Sequence, residues 1–138
     1  MGDSKFVRRD NQQRKTETTG KRPTSYSNWH RKSLSAECLA VDVDFVEYRL
    51  NRGIVGLFAV TGECNDENHI KNSKRFIWNR TKVERQVLVE LSQKVGCPAY
   101  FVIHDNDLTV FHVHDLSEDL KDYTRMDNKE YSEFIEKL

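Results

Sequence analysis

The sequence has no Cys-x-x-Cys pair, no long apolar run and no glycine-rich phosphate loop, and each absence narrows what the chain does. Its three cysteines, Cys38, Cys64 and Cys97, are an odd number and read as reduced thiols in a cytoplasmic protein. No stretch approaches the roughly eighteen apolar residues that a membrane span needs. The opening MGDSKFVRRDNQQRK has no apolar signal core, so export is not expected. Gly2 follows Met1, but the myristoylation pattern requires Ser or Thr at position 6, where Phe6 stands. No GxSxG elbow, catalytic Cys–His order or internal repeat is visible.

Net charge is also lacking, although the zero sum hides an asymmetry. Residues 1–33 carry nine Lys/Arg against three Asp/Glu, whereas the remainder carries thirteen against nineteen. The Debye length is about 8 Å at physiological salt, so a partner senses the two regions separately. A basic arm on an acidic body is a plausible handle for nucleic acid, and equally the composition of a disordered tail. With 138 residues, 37% hydrophobic and 32% charged, the chain has material for one core. The expected organisation is a flexible basic arm over residues 1–28 and one domain over residues 29–138.

Within that domain, VDVDFVEYR (41–49) alternates as a strand, with Val41, Val43 and Phe45 on one face and Asp42 and Asp44 on the other. Asn51–Gly53 is the turn, and IVGLFAVTGE follows as an almost wholly apolar central strand. Residues 33–39 suggest a short helix, and residues 64–79 a loop with a short strand around KRFIW. Thr81 and Glu84 form a capping-box pattern ahead of a helix carrying Val83, Val87, Leu88, Leu91 and Val95 on one stripe, ending at Gly96. Strands PAYFVIHD and LTVFHVHDL come next, then a second capping box, Asp127 and Glu130, opens a last helix. The fold class is therefore α/β: a central mixed sheet with flanking helices.

Several segments carry a resemblance: WHR at 29–31, DVDFVEYR at 42–49, VGLFAVTGE at 55–63, VLVELSQKVGCPAYFVIHD, LTVFHVHDL and the closing NKEYSEFIEKL. Together they resemble small phage and bacterial members of the PD-(D/E)XK nuclease superfamily, across about residues 29 to 138. The resemblance implies a restriction-endonuclease-like fold and a metal-dependent phosphodiesterase using Mg²⁺ or Mn²⁺. In such a site an Asp on one strand and an acid on the next hold the cation, and a lysine two residues further activates water or stabilises developing charge. Asp44 matches the aspartate. Ala59 stands where the acid belongs and Thr61 where the lysine belongs.

Losing one such stabiliser typically costs about 100- to 1,000-fold in rate, roughly 3–4 kcal/mol. Regular alternation places Glu63 on the face of Ala59 and Thr61, about 6.5–7 Å beyond Thr61, unless a bulge at Gly62 redirects it. Asp44 and Glu63 are thus the candidate catalytic and metal-binding pair, with Lys71, Lys74, Lys82 or Arg85 as replacement cations. Asp42 reads as a second ligand or an edge residue, and Glu47 as the cross-strand partner of a basic residue. Two further ligand sets fall short of zinc chemistry: His112-x-His114, and Cys64 with Asp66, Glu67 and His69.

Three functions remain open. One is a nucleic-acid-associated protein with a degenerate site, binding through Arg8, Arg9, Lys21, Arg22, Arg31 and Lys32. Another is an active nuclease with migrated residues. The third is a non-enzymatic interaction module or homodimer that uses a sheet edge or the exposed aromatics Phe76 and Trp78.

Overall fold

A computed structural model describes residues 24–118 and 123–138. The chain divides between Ala40 and Val41 into two compact units. In the first, helix α1 spans Ser25–Ser33. The helix therefore precedes the 33–39 segment in which the sequence pattern places one. His30, Arg31 and Lys32 occupy its last turn, where cations complement the exposed carbonyl end.

The second unit is a five-stranded mixed sheet in the order β1-β2-β3-β4-β5. Strand β1 (Phe45–Arg49) pairs antiparallel with β2 (Gly53–Cys64), and β2 runs parallel to β3 (Ala99–Asp105). Strands β4 (Val110–Asp115) and β5 (Thr124–Asp127) complete the sheet by antiparallel pairing. Gly53, at φ 82°, supplies the left-handed backbone that the β1–β2 turn requires. The α/β class and the mixed sheet are as expected, with two differences of element.

The first difference is helix α2 (Glu67–Arg80), which occupies the stretch expected to be a loop with a strand. Asp66 caps it by accepting the His69 amide at 2.8 Å. Ile70 and Ile77, seven residues apart, are its buried side chains. The second is β5, four residues that precede the last helix, α4 (Asn128–Glu136).

Helix α3 (Lys82–Val95) ends on Gly96 at φ 81°, where a residue without a side chain closes the helix. Its expected capping box does not form. Thr81 serves both α2 and α3, and its hydroxyl donates backward to the Ile77 carbonyl at 2.8 Å. The second capping box, Asp127 with Glu130, is present in full.

The sheet has two differently covered faces. On one, Leu57, Ala59, Phe101 and Ile103 pack with Ile70 and Ile77 of α2 and Leu88 of α3. On the other, Phe58, Val102, Phe111 and Val113 meet Tyr131, Phe134 and Ile135 of α4. Phe101 is fully buried, with Trp78 edge-on at 5.6 Å. We expect Phe101→Ala to cost about 3–5 kcal/mol in urea unfolding. Phe76→Ala, at a site 66% exposed, should stay within about 0.5 kcal/mol.

Candidate functional site

The alternation expected through residues 41–49 holds only from Phe45 onward, because β1 begins there. Asp44 lies just outside the strand and accepts the Val60 amide through Oδ2 at 2.8 Å. Phe45 opposes Phe58 in the ladder, so the Asp44 carboxylate extends the pairing by one side-chain hydrogen bond where the backbone has departed. Val43 turns into the core on the α2/α3 side. Glu47 pairs with Arg49 of its own strand at 2.9 Å, so its basic partner is not cross-strand.

On β2, Ala59 is 4% exposed and belongs to the core between sheet and helices. Thr61 opposes Ile103, and the next registered pair is Cys64 with Asp105, so β2 holds one extra residue between them. This bulge gives Cys64 the buried, core-facing position and takes Glu63 out of the alternation. Gly62 is required here: a side chain would meet the His104 ring at 2.1 Å. Glu63 instead forms an ion pair with Arg80 in the last turn of α2, at 2.6 Å. The expected Asp44–Glu63 ligand pair is thus committed to two other partners, a backbone amide and a guanidinium.

A different acid comes near Asp44. Burial first, and then the carboxylates of Asp44 and Asp42, push the pKa of Glu84 on α3 upward, while Arg80 pulls it down. Glu84 was visible in the sequence only as a helix-capping residue. Arg80, one residue before Thr81, is the cation paired with Glu63, and two of the four expected cations are engaged elsewhere. Lys74 lies over the Tyr123 ring at 4.3 Å, and Arg85 stacks on Trp78 at 3.4 Å while donating to its carbonyl. Among the described residues, no group of three or more His, Cys, Asp and Glu side chains is arranged to hold a metal ion. The expected ligand pair is thus not brought to one position, since Asp44 accepts the Val60 amide and Glu63 pairs with Arg80.

The remaining polar candidates have partners within the fold. His112 and His114 are both buried on the α2 side of the sheet, His114 edge-on to Trp78 at 5.3 Å. His112 Nε2 meets Glu67 Oε2 at 3.0 Å, and Arg125 Nε donates to the same oxygen at 2.7 Å. Arg125 foremost, and then His112, hold the Glu67 carboxyl below its ordinary value, whereas burial lowers the pKa of His112 against the pull of Glu67. Of the loop set, Cys64 is buried, Asp66 caps α2, and His69 Nδ1 accepts the Asn65 amide at 3.0 Å. Trp78, expected as an exposed aromatic, is half-buried against Phe101 and His114. Phe76 is exposed.

Of the expected nucleic-acid contacts, Arg31 and Lys32 lie exposed at the end of α1. Arg8, Arg9, Lys21 and Arg22 fall outside the described residues. Arg31 shares α1 with Tyr26 and Trp29, which are 69% and 51% exposed and whose rings lie 5.6 Å apart. No helix among the described residues is long and apolar enough to cross a membrane. Compared with known proteins, the chain matches no family model, no curated protein and no solved structure.

The raised pKa of Glu84 has a consequence for stability. Folding favours its protonated form, so the stability it contributes is full below its unfolded pKa and is lost as pH rises through the raised folded value. Glu84→Gln removes that loss. We expect the variant to melt above the parent at neutral pH, with the difference closing as acidification protonates Glu84 in the parent. Thermal melts at neutral and mildly acidic pH check the sign.

Proposed function

We propose that the chain is a nucleic-acid-associated protein on a restriction-endonuclease-like scaffold whose metal chemistry has been lost. The observation that carries the binding half is the surface of α1. Tyr26 and Trp29 present exposed rings one helical turn apart, followed directly by His30, Arg31 and Lys32. Aromatic faces stack on unpaired bases and guanidinium or ammonium groups neutralise phosphates, the two contributions from which single-strand binding surfaces are built. The basic composition of residues 1–33 adds to the same field.

Loss of chemistry is supported at the hairpin. A competent site needs two carboxylates and a lysine converging on one cation. Here Asp44 holds an amide, Glu63 holds Arg80, and Ala59 is part of the core. Restoring the acid by Ala59→Glu would place a carboxylate among Leu57, Phe101 and Ile103, so it should destabilise the fold by at least about 3 kcal/mol.

Binding is tested with the full chain on labelled single-stranded, duplex and branched DNA and on RNA, across a salt series. Affinity should fall steeply with salt. Trp29→Ala should cost about 1–3 kcal/mol on single strands, and Arg31→Ala with Lys32→Ala should reduce the salt slope by about 1.4 there. The absence of affinity for every nucleic acid at low salt would overturn the reading. The same substrates with Mg²⁺ or Mn²⁺ should remain uncut by the wild type and by Asp44→Ala alike. Cleavage that Asp44→Ala abolishes would instead favour a working nuclease whose second acid has moved to Glu84.

A further inference from the structure

The two edges of the sheet are built differently. Strand β5 is four residues, TRMD, with Arg125 held by Glu67 and Asp127 capping α4. Short, charged edges of this kind resist pairing with another chain. Strand β1, FVEYR, pairs with β2 on one side, and no other strand among the described residues pairs with it. It contains no proline or lysine, and Phe45, Val46 and Tyr48 are 57%, 49% and 60% exposed. Leu50 and Ile54, at the adjoining turn, are 52% and 43% exposed. The irregularity beside it belongs to β2: Glu47 opposes Gly56 and Tyr48 opposes Ile54, leaving Val55 as the extra residue. The outer side of β1 is therefore a regular edge with exposed apolar residues, whose two charges, Glu47 and Arg49, already pair with each other.

We propose that β1 pairs antiparallel with β1 of a second copy of this chain, across a two-fold axis through Tyr48, so that one sheet runs through both. The register follows from symmetry and charge. In a two-fold antiparallel pair, facing residues lie on the same side of the sheet, so the axis must pass through a residue. An axis at Glu47 sets that carboxylate against its own copy, and an axis at Arg49 does the same with two guanidinium groups. An axis at Tyr48 places Glu47 opposite Arg49 of the second copy twice over, with Val46 opposite Leu50. Opposite charges facing across a ladder stabilise it and like charges oppose it. Glu47 and Arg49 already form a pair on the same face of β1, and two such pairs merge into a four-membered network at the axis. The edge has no cationic stripe for a phosphate backbone, so a second copy fits it better than nucleic acid. This inference stands independently of what α1 binds.

Sedimentation equilibrium on the full chain tests it. Wild type should approach twice the 16.2 kDa of one chain. Glu47→Arg and Arg49→Glu each place like charges face to face and should each weaken dimerisation by about tenfold or more. Mixing the two variants restores both opposite-charge contacts, so the mixture should form heterodimers, which also shows that each variant is folded. In a Cys38→Ser background, Tyr48→Cys should cross-link into a disulfide dimer on oxidation. A 16.2 kDa species at the highest attainable concentration, or a dimer indifferent to both charge reversals, would overturn the proposal. Failure of the mixture to associate would overturn the register. A monomer whose β1 amides resist hydrogen exchange would overturn it in favour of another segment of the chain on that edge.

Discussion

Strands β2 and β3 run parallel, and a parallel pair cannot be closed by a tight turn, so the chain leaving β2 at Cys64 has to travel back along the sheet before entering β3 at Ala99. Helices α2 and α3 make that journey, joined at Thr81, whose hydroxyl bonds the last turn of one helix while its carbonyl starts the other. Because both helices belong to one crossover, they cover one face together, and their buried residues Ile70, Ile77 and Leu88 meet Leu57, Ala59, Phe101 and Ile103. The other face is left to α4, the last element of the chain. The two cores on either side of the sheet both follow from that one pairing.

The same constraint shapes the charged surface at the end of β2. The strand has to stop and turn into α2 within a few residues. The bulge before Cys64 does this by burying Cys64 and moving Glu63 out of the sheet's alternation. Arg80, at the far end of α2, then reaches Glu63 across the start of the crossover. Two elements that meet because of chain connectivity are thereby held together by an exposed ion pair of modest strength. Glu84, one turn into α3, is left facing Asp44 and Asp42, and burial together with their charge raises its pKa.

Where periodicity and a terminus signal coincide, the fold is legible in the sequence. The helix at 82–95 shows a stripe and a glycine stop, α4 shows its Asp127–Glu130 box, and β3 and β4 show apolar runs around a polar turn. Helix α2 is harder to read because it buries only Ile70 and Ile77, and the apolar cluster Phe76–Trp78 resembles a strand in isolation. The informative signal was Asp66 as a cap with isoleucines four and eleven residues later. At the site, the sequence raises a bulge at Gly62 without deciding it, and gives no sign of the extra residue Val55 in the β1–β2 hairpin. The course taken at Gly62 involves His104 of β3 lying over it, a contact between residues 42 positions apart. Arg80 and Glu84 were likewise hidden, since their meeting with β2 and the segment before β1 exists only once the crossover has folded.

The position of Ala59 shows what the helix-covered face of a central strand accepts. A side chain on the helix-covered face of a central strand has two stable solutions. One is a carboxylate compensated by a cation and hydrogen bonds, and the other is a small apolar residue in van der Waals contact. A carboxylate alone would incur its desolvation cost in full, and a cation would have nothing to bind without one. Ala59 takes the second solution, packed with Leu57 and Phe101 beneath the helices. Asp44, outside the strand, is exposed and accepts the Val60 amide. Glu63 and Glu84 lie exposed, and Arg80, paired with Glu63, also offsets the charge of Glu84. Ala59 thus fits the helix-covered face of β2 by packing alone.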